Sequence, residues 1–227
     1  MYYLYLSEMS DPFTVESRDD PHQGQPLATA GAPPEAADAV VILLHGRSST
    51  AKNILRLADE FYHHGVMYLA PQAARRMWYP RSGYAPFEDN EPWFSSALDR
   101  ISKALNVAAA AGVPPERTLL LGFSQGGCLA SEFVARNPRR YGGLVVLSGS
   151  LLGPEVREEY AGSIDGTPVF LGCSSDDPYI TAARLHETAR VFERLDGEVT
   201  SRLYKGLGHA INDDEIQTID TFVDQLV

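Results

Sequence analysis

The chain has 227 residues, of which 44% are hydrophobic and 22% are charged, a composition typical of a globular protein with a sizeable core. Its formal net charge of −11 disfavours nucleic acid or an anionic membrane as a main partner, because both attract basic surfaces. No apolar run approaches the roughly 20 residues of a membrane span, so we expect no stable membrane insertion.

The first part of the sequence is its least regular part. Residues 1–12 have neither a basic region nor a long apolar stretch, so we expect no signal peptide and a cytoplasmic location. A short strand is predicted over residues 2–6. The stretch from about 7 to 39 is rich in Pro, Gly, Asp and Glu, and we expect an irregular arm with one short strand around Leu27.

Strands and helices alternate along the rest of the chain. The predicted strands are 39–44, 66–70, 119–121, 144–147, 168–172 and 199–204. The predicted helices are 51–63, 95–111, 125–136, 182–195 and one that follows Asn212. Such alternation predicts an α/β fold with a doubly wound, mostly parallel sheet and helices on both faces. No domain boundary interrupts it, so we expect a single domain over residues 1–227.

Two of these helices carry capping signals near their first residues. Ser96 and Asp99 resemble a capping box in the helix predicted over 95–111. Before the last helix, Asn212 can accept a hydrogen bond from the backbone N–H of Glu215, and the Glu215 side chain can reach back. We therefore expect the last helix to begin directly after Asn212.

The strand over 119–121 leads into the motif Gly-x-Ser-x-Gly. Residues 122–127 read Gly-Phe-Ser-Gln-Gly-Gly and lie between this strand and the next helix. In such a strand–turn–helix arrangement the turn is sharp and holds the serine hydroxyl clear of the sheet, beside the helix N-terminus. Ser124 is therefore the candidate nucleophile.

A serine hydroxyl needs a base to accept its proton and an acid that orients the base. With this turn motif, both partners follow the serine in the chain, the acid first. His186 lies within a predicted helix, whereas His209 lies in a glycine-rich loop after the last strand, so we expect His209 to be the base. The acid is Asp176 or Asp177, since both follow the strand 168–172 and the spacing does not choose between them.

Acyl transfer also requires hydrogen-bond donors for the oxyanion of the tetrahedral intermediate. One donor is expected from the backbone N–H of Gln125, the residue after the serine. The second is expected from the loop 45–48 that follows the strand 39–44, and we favour the N–H of Arg47. His45 precedes the serine in the chain, so we expect it to have a structural role. This chemistry needs neither a metal nor an organic cofactor.

At these positions the sequence resembles the phospholipase/carboxylesterase family of the α/β-hydrolases, which includes acyl-protein thioesterases. The resemblance covers about residues 39–227 and rests on His45-Gly46, the hexapeptide 122–127, Asp177-Pro178-Tyr179-Ile180 and Gly208-His209. It implies that the acid is Asp177 rather than Asp176, and that Arg47 and Gln125 supply the oxyanion donors. The chain departs from the family pattern at Ser48, where glycine is usual, and at Thr181, where proline is usual.

The segment 73–94 is irregular and rich in aromatic residues, which is typical of a binding loop. We predict that it forms a wall of the substrate pocket; the alternative is that its rings cover an edge of the sheet. The predicted pocket residues are Trp78, Tyr79, Phe87 and Trp93, together with Leu151 after the strand 144–147. Trp78 and Tyr79 are favoured because the resembling family has an aromatic residue there.

These features predict a serine carboxylesterase that hydrolyses small to medium acyl or aryl esters through a Ser-His-Asp triad and an acyl-enzyme. The first alternative is an acyl-protein thioesterase or a lysophospholipase. The alternative from another class is a non-catalytic, ligand-binding homologue of such enzymes. Arg75, Arg76 and Arg81 either bind an anionic group of the substrate or are solvated. Exposed aromatic residues in the segment 73–94 would suit a homodimer.

Overall fold

The computed structural model describes residues 19–157 and 159–227. The strand predicted over 2–6 and the first part of the predicted arm lie outside the described residues. The described part of the arm contains the strand expected around Leu27, which spans Leu27–Gly31. In the described part of the chain, no helix is long and apolar enough to cross a membrane.

Among the described residues, seven strands form one sheet. They are β1 (Leu27–Gly31), β2 (Ala39–Leu44), β3 (Val66–Pro71), β4 (Thr118–Phe123), β5 (Gly143–Leu147), β6 (Pro168–Ser174) and β7 (Glu198–Tyr204). Their order in the sheet is β1-β3-β2-β4-β5-β6-β7. β1 pairs antiparallel with β3, and the remaining neighbours pair in parallel.

Helices cover both faces of this sheet. They are α1 (Ala51–Leu55), α2 (Trp93–Ala110), α3 (Gln125–Arg136), α4 (Ala182–Arg194) and α5 (Asp213–Asp224). Residues of α2, α3 and α4 pack in one core layer, and residues of α1 and α5 pack in the other. The architecture is the doubly wound, mostly parallel α/β fold that the alternation of strands and helices predicts.

Strand β2 shows why the sheet is covered on both sides. All six of its residues are fully buried. Val40, Ile42 and Leu44 contact the layer that holds α2, α3 and α4, whereas the alternate residues contact the layer of α1 and α5. A strand that is apolar at every position fits only a sheet that has helices on both faces.

Two helices differ from their predicted extents. The helix predicted over 51–63 is α-helical only to Leu55 and continues as a 3-10 helix over Arg56–Phe61. Helix α2 begins at Trp93, before Ser96, so the capping box predicted at Ser96 is wrong. The Ser96 hydroxyl instead donates to the Asp20 carboxylate and accepts the N–H of His22. This side chain therefore holds the arm against α2.

The last helix begins as the sequence predicts. Asn212 Oδ1 accepts the N–H of Glu215, and Glu215 Oε2 accepts the N–H of Asn212, each at 2.9 Å. This reciprocal capping box satisfies two backbone donors that a helix N-terminus leaves unpaired. It also fixes where the chain turns after β7, in the loop that carries His209.

Strands β2, β4, β6 and β7 run in the same direction, so the segments that follow them emerge at one edge of the sheet. These segments carry Arg47, Ser124, Asp177 and His209, respectively. In open α/β sheets, this carboxyl edge is where ligands bind. The fold thus places the candidate residues on one side of the molecule.

Candidate active site

Ser124 lies on a tight turn between β4 and α3, here called the elbow (residues 122–126). Its φ of 55° is in the left-handed region, which a non-glycine residue adopts only where its surroundings hold it. The glycines on either side permit the turn, because a Cβ on Gly122 would collide with the carbonyl of Gly126 and a Cβ on Gly126 with that of Leu44. The Ser124 N–H donates to the carbonyl of Leu147 at 2.8 Å, which fixes the turn against β5.

Three of the predicted site residues form one hydrogen-bonded chain. His209 Nε2 lies 2.9 Å from Ser124 Oγ, and His209 Nδ1 lies 2.8 Å from Asp177 Oδ2. The Asp177 carboxylate is fully buried, and the His209 side chain is 20% exposed. In the tautomer with hydrogen on Nδ1, His209 donates to Asp177 and can accept the serine proton at Nε2.

The Asp177 carboxylate is held by several donors. Besides the contact with His209, Asp177 Oδ1 accepts the N–H groups of Tyr179 at 2.8 Å and Ile180 at 3.0 Å. Burial raises the pKa of Asp177, but the hydrogen bonds from His209 and from these two N–H groups outweigh burial and lower it. Asp177 therefore stays ionised and favours the His209 tautomer that donates from Nδ1.

Asp176, the other candidate that the spacing allows, has different partners. Its Oδ1 accepts the Ser174 hydroxyl and the N–H of Gly206. Ser174 Oγ in turn accepts the N–H of Gly208, the residue before His209. Asp176 is exposed and stabilises the loop that carries the histidine, so the geometry selects Asp177 as the partner of His209.

Two aromatic side chains flank the His209 ring. The ring centroid of Phe123 lies 5.0 Å away at an interplanar angle of 40°, and that of Tyr179 lies 4.8 Å away at 74°. Phe123 precedes Ser124 in the turn, and Tyr179 follows Asp177 by two residues. The segments that carry the other two members of the chain therefore also restrict the orientation of the histidine.

The two predicted oxyanion donors belong to Gln125, directly after Ser124, and to Arg47, in the loop after β2. Helix α3 begins at Gln125, so the N–H of Gln125 has no acceptor within the helix. Within the part of the chain that the structure describes, the N–H groups of Arg47 and Gln125 donate to no protein acceptor. Gly46, next to Arg47, approaches the elbow so closely that a Cβ added there would lie 3.3 Å from the Cβ of Ser124.

His45 has a structural position, as the sequence predicts. It is fully buried, and its Nδ1 lies 2.8 Å from the carbonyl oxygen of Gly46. Its Nε2 lies 3.1 Å from the backbone N–H of Ala73. A ring that donates from Nδ1 and accepts at Nε2 satisfies both contacts, and burial of the ring lowers its pKa. The neutral imidazole thus connects the loop after β2 to the segment after β3.

The structure buries three of the five predicted pocket residues. Trp78, Tyr79 and Leu151 are 0%, 2% and 1% exposed, respectively, and belong to the core layer of α2, α3 and α4. Side chains so enclosed cannot line an open pocket, so that prediction is wrong for these three residues. Phe87 and Trp93 are half-buried and pack against that layer.

Sequence reasoning missed the cleft that does adjoin the site. Its volume is about 330 Å³. It is bordered by the elbow, the loop after β2, α1 with the 3-10 helix that follows, and the loop after His209. The residues at this border include Gly46, Asn53, Ile54, Leu57, Phe123 and Ile211. The only signal in the sequence was the proximity of Phe123 and Ile211 to Ser124 and His209 along the chain. Among the described residues, no cluster of three or more His, Cys, Asp or Glu side chains could hold a metal ion.

A family model described as phospholipase/carboxylesterase matches residues 28–227. Among curated proteins, acyl-protein thioesterase 1 of Saccharomyces cerevisiae is 30% identical over 134 residues, 57% of this chain and 59% of that protein. A probable carboxylesterase of Oryza sativa subsp. japonica is 26% identical over 145 residues, 63% of this chain and 54% of the relative. The chain thus spans less than two thirds of the length of these curated relatives.

Solved structures extend the similarity to nearly the whole chain. A phospholipase/carboxylesterase from Dyadobacter fermentans DSM 18053 is 35% identical, with a TM-score of 0.84 over 88% of this chain and 96% of that chain. The carboxylesterase of Bacillus cereus has a TM-score of 0.72 at 18% identity, over 89% of this chain and 95% of that chain. The second similarity concerns the fold alone.

Proposed function

The chain belongs to the phospholipase/carboxylesterase family, and on that premise we propose that it is a serine carboxylesterase acting on small to medium acyl or aryl esters. The observation that carries this proposal is the hydrogen-bonded chain from Ser124 through His209 to Asp177. Nucleophile, base and orienting acid in this order are what acyl transfer by a serine requires.

In the first half of the proposed reaction, Ser124 Oγ attacks the ester carbonyl carbon while His209 Nε2 accepts the hydroxyl proton. The carbonyl electron pair moves to the oxygen, and the N–H groups of Arg47 and Gln125 stabilise the resulting oxyanion. The Asp177 carboxylate stabilises the imidazolium that forms. When the tetrahedral intermediate collapses, the bond to the alcohol breaks and His209 gives its proton to the leaving oxygen.

The second half repeats the same steps with water. His209 accepts a proton from water as the water oxygen attacks the acyl-enzyme carbonyl, and the oxyanion is held by the same two donors. Collapse breaks the bond to Ser124 Oγ, which recovers its proton from His209. The products are a carboxylic acid, an alcohol and the free enzyme.

The cleft beside the site supports a limited substrate size. Its volume of about 330 Å³ lies near the lower end of the roughly 300–1,000 Å³ range of small-molecule pockets. Ile54, Leu57, Phe123 and Ile211 supply an apolar part of its border, which suits a short acyl or aryl group. The polar part of the border consists of Ser49, Asn53, Arg56 and Glu60. The proposal is therefore for small to medium esters rather than long-chain lipids.

The yeast relative named acyl-protein thioesterase supports a second candidate function, the hydrolysis of acyl thioesters by the same triad chemistry. A short 4-nitrophenyl ester, an acyl thioester and a long-chain lysophospholipid at equal concentration would separate the candidates. We expect the highest kcat/KM for the short ester. A preference for the thioester or the lysophospholipid would overturn the assignment to small esters while leaving the triad chemistry intact.

The alternative from another class is a ligand-binding homologue without catalysis. Hydrolysis of the short ester by the wild type and its loss in Ser124→Ala would exclude this alternative. In subtilisin, loss of the serine costs roughly 10⁶-fold in kcat, and we expect a loss of similar order here. A wild type that hydrolyses none of the three substrates would favour the ligand-binding alternative.

A further inference from the structure

The side chains of Arg47 and Gln125 both hold the backbone carbonyl of Tyr79. Gln125 Nε2 donates to this carbonyl at 2.8 Å, and Gln125 Oε1 accepts the N–H of Trp78 at 2.8 Å. The Arg47 guanidinium donates through Nη2 to the same carbonyl at 2.7 Å and to that of Arg81 at 2.9 Å. Two residues that are 78 positions apart in the chain thus share one acceptor.

The segment that carries this acceptor is itself fixed to the loop after β2. The N–H of Ser48 donates to the carbonyl of Arg76 at 2.8 Å, and Trp78 Nε1 donates to the carbonyl of His45 at 2.8 Å. Trp78 is fully buried, and Arg76 has a φ of 58°, a conformation that a non-glycine residue keeps only where neighbouring contacts hold it. The segment 76–81 is therefore a constrained part of the site.

We propose that Arg47 and Gln125 are positioning residues, whose side chains act through the Tyr79 carbonyl to fix the separation of the two backbone N–H groups that hold the oxyanion. This inference rests on the proposed function. The two donors belong to separate elements, the loop after β2 and the N-terminus of α3, so their separation depends on non-covalent contacts. Oxyanion stabilisation requires donors fixed before the charge develops.

The Arg47 guanidinium contacts the protein backbone, as expected of a positioning residue rather than of a substrate contact. Its Nη2 donates to two carbonyls, and its Nη1 lies 3.7 Å from Met77 Sδ. These contacts turn the side chain toward the segment 76–81. In the same way, Gln125 uses both ends of its amide on that segment and is only 6% exposed. The segment 76–81 thus contacts the side chains of both residues that carry the proposed oxyanion donors.

The test uses the full-length protein, a short 4-nitrophenyl ester and a trifluoromethyl ketone, which forms a tetrahedral adduct with its oxygen in the oxyanion position. Arg47→Met removes the guanidinium and keeps the backbone N–H. Gln125→Glu keeps an acceptor for Trp78 and replaces the donor to Tyr79 by a carboxylate oxygen.

We expect each of the two variants to lower kcat by about 10- to 100-fold, since a misplacement of about 1 Å can cost 100-fold. KM should change by less than about threefold, because substrate binding in the ground state is not affected. The affinity for the trifluoromethyl ketone should fall by the same factor as kcat/KM. Arg47→Lys should recover part of kcat, since an ammonium can still donate to the Tyr79 carbonyl.

Arg100→Met is the matched control. Like Arg47, Arg100 donates to two backbone carbonyls, those of Gln25 and Pro26, although Arg100 is buried and Arg47 is exposed. Its acceptors belong to the arm and not to the segment 76–81. We expect its kcat to stay within about twofold of the wild type. The double variant of Arg47→Met and Gln125→Glu should lose less than the product of the single losses, because both side chains act through one carbonyl.

The proposal is overturned if Arg47→Met keeps kcat and inhibitor affinity within about twofold of the wild type. It is also overturned if this variant raises KM alone, which would make Arg47 a substrate contact. Arg47 is exposed, so this variant decides the question even if Gln125→Glu does not fold. A wild type without esterase activity would instead refute the proposed function, and the inference with it.

Discussion

The buried carboxylate of Asp177 accepts hydrogen bonds from His209 and from the N–H groups of Tyr179 and Ile180. A buried carboxylate without such donors would become protonated, because burial penalises the charged form. Here the donors lower the pKa of Asp177 despite its burial. The charge is thus retained at the place where it can stabilise an imidazolium.

Asp177→Asn should leave the fold intact and lower kcat by about 10³- to 10⁴-fold, because an amide in this position favours the wrong histidine tautomer. Asp176→Asn is the matched control, since its amide oxygen can still accept from Ser174 and Gly206. Ester hydrolysis by the two variants and the wild type tests this expectation. Equal losses in both variants would contradict the assignment of Asp177.

The residue pattern alone does not decide whether Asp176 or Asp177 is the acid that orients His209. Both follow the same strand, and spacing along the chain does not say which carboxylate turns toward His209. The resemblance to the family pointed to Asp177. The structure shows the physical reason, which is a turn after Pro178 whose N–H groups hold the Asp177 carboxylate and direct it inward.

At the scale of single elements, helix α5 begins where the sequence predicts, but its capping box buries a carboxyl group. Glu215 completes the capping box with Asn212, yet it is fully buried. Burial raises the pKa of Glu215 to about 7, against the lowering effect of the Asn212 N–H, and the nearby Asp214 raises it further. Its Oε1 has no hydrogen-bond partner among the described residues.

The free energy of unfolding should depend on this group between pH 4.5 and 7. The native state binds the Glu215 proton more tightly than the unfolded chain, so the group's contribution to stability is lost as pH rises through about 7. A glutamine at this position does not titrate. The unfolding free energy of Glu215→Gln minus that of the wild type should therefore be larger at pH 8 than at pH 5. Urea unfolding at both pH values measures this difference, and an unchanged difference would contradict the prediction.

Elements with local signals were predicted well, and those fixed by distant contacts were not. The capping box of α5 depends on residues three apart, so the sequence contains it entirely. The start of α2 differs because Ser96 bonds to Asp20 and His22, more than 70 residues away. Likewise, the aromatic residues at 78 and 79 resemble a pocket wall in sequence, but their burial depends on how the segment packs beneath the elbow.

At the scale of the molecule, one continuous sheet joins the two core layers. We propose on this basis that the chain forms a single domain. In urea, far-UV circular dichroism and the fluorescence of Trp78 and Trp93 should then report one transition with the same midpoint. Two separate midpoints would contradict a single cooperative unit.

The cleft beside Ser124 also depends on how distant parts of the chain pack together. It is bordered by α1, the elbow and the loop after β7, which the sheet order brings together although they are far apart in the sequence. Strand alternation predicts that these elements share an edge, but it does not predict the space between their side chains. The residues of the candidate triad could therefore be proposed from the sequence, whereas the cleft could not.

The proposed function requires that Ser124 become covalently acylated after activation by His209. Intact-protein mass spectrometry after treatment with a fluorophosphonate, followed by peptide mapping, tests it directly. We predict one phosphonyl group per wild-type chain, located on Ser124, and no adduct in Ser124→Ala or His209→Ala. Ester hydrolysis by a wild type that forms no adduct on Ser124, or labelling of Ser124→Ala to the wild-type extent, would contradict this role of Ser124.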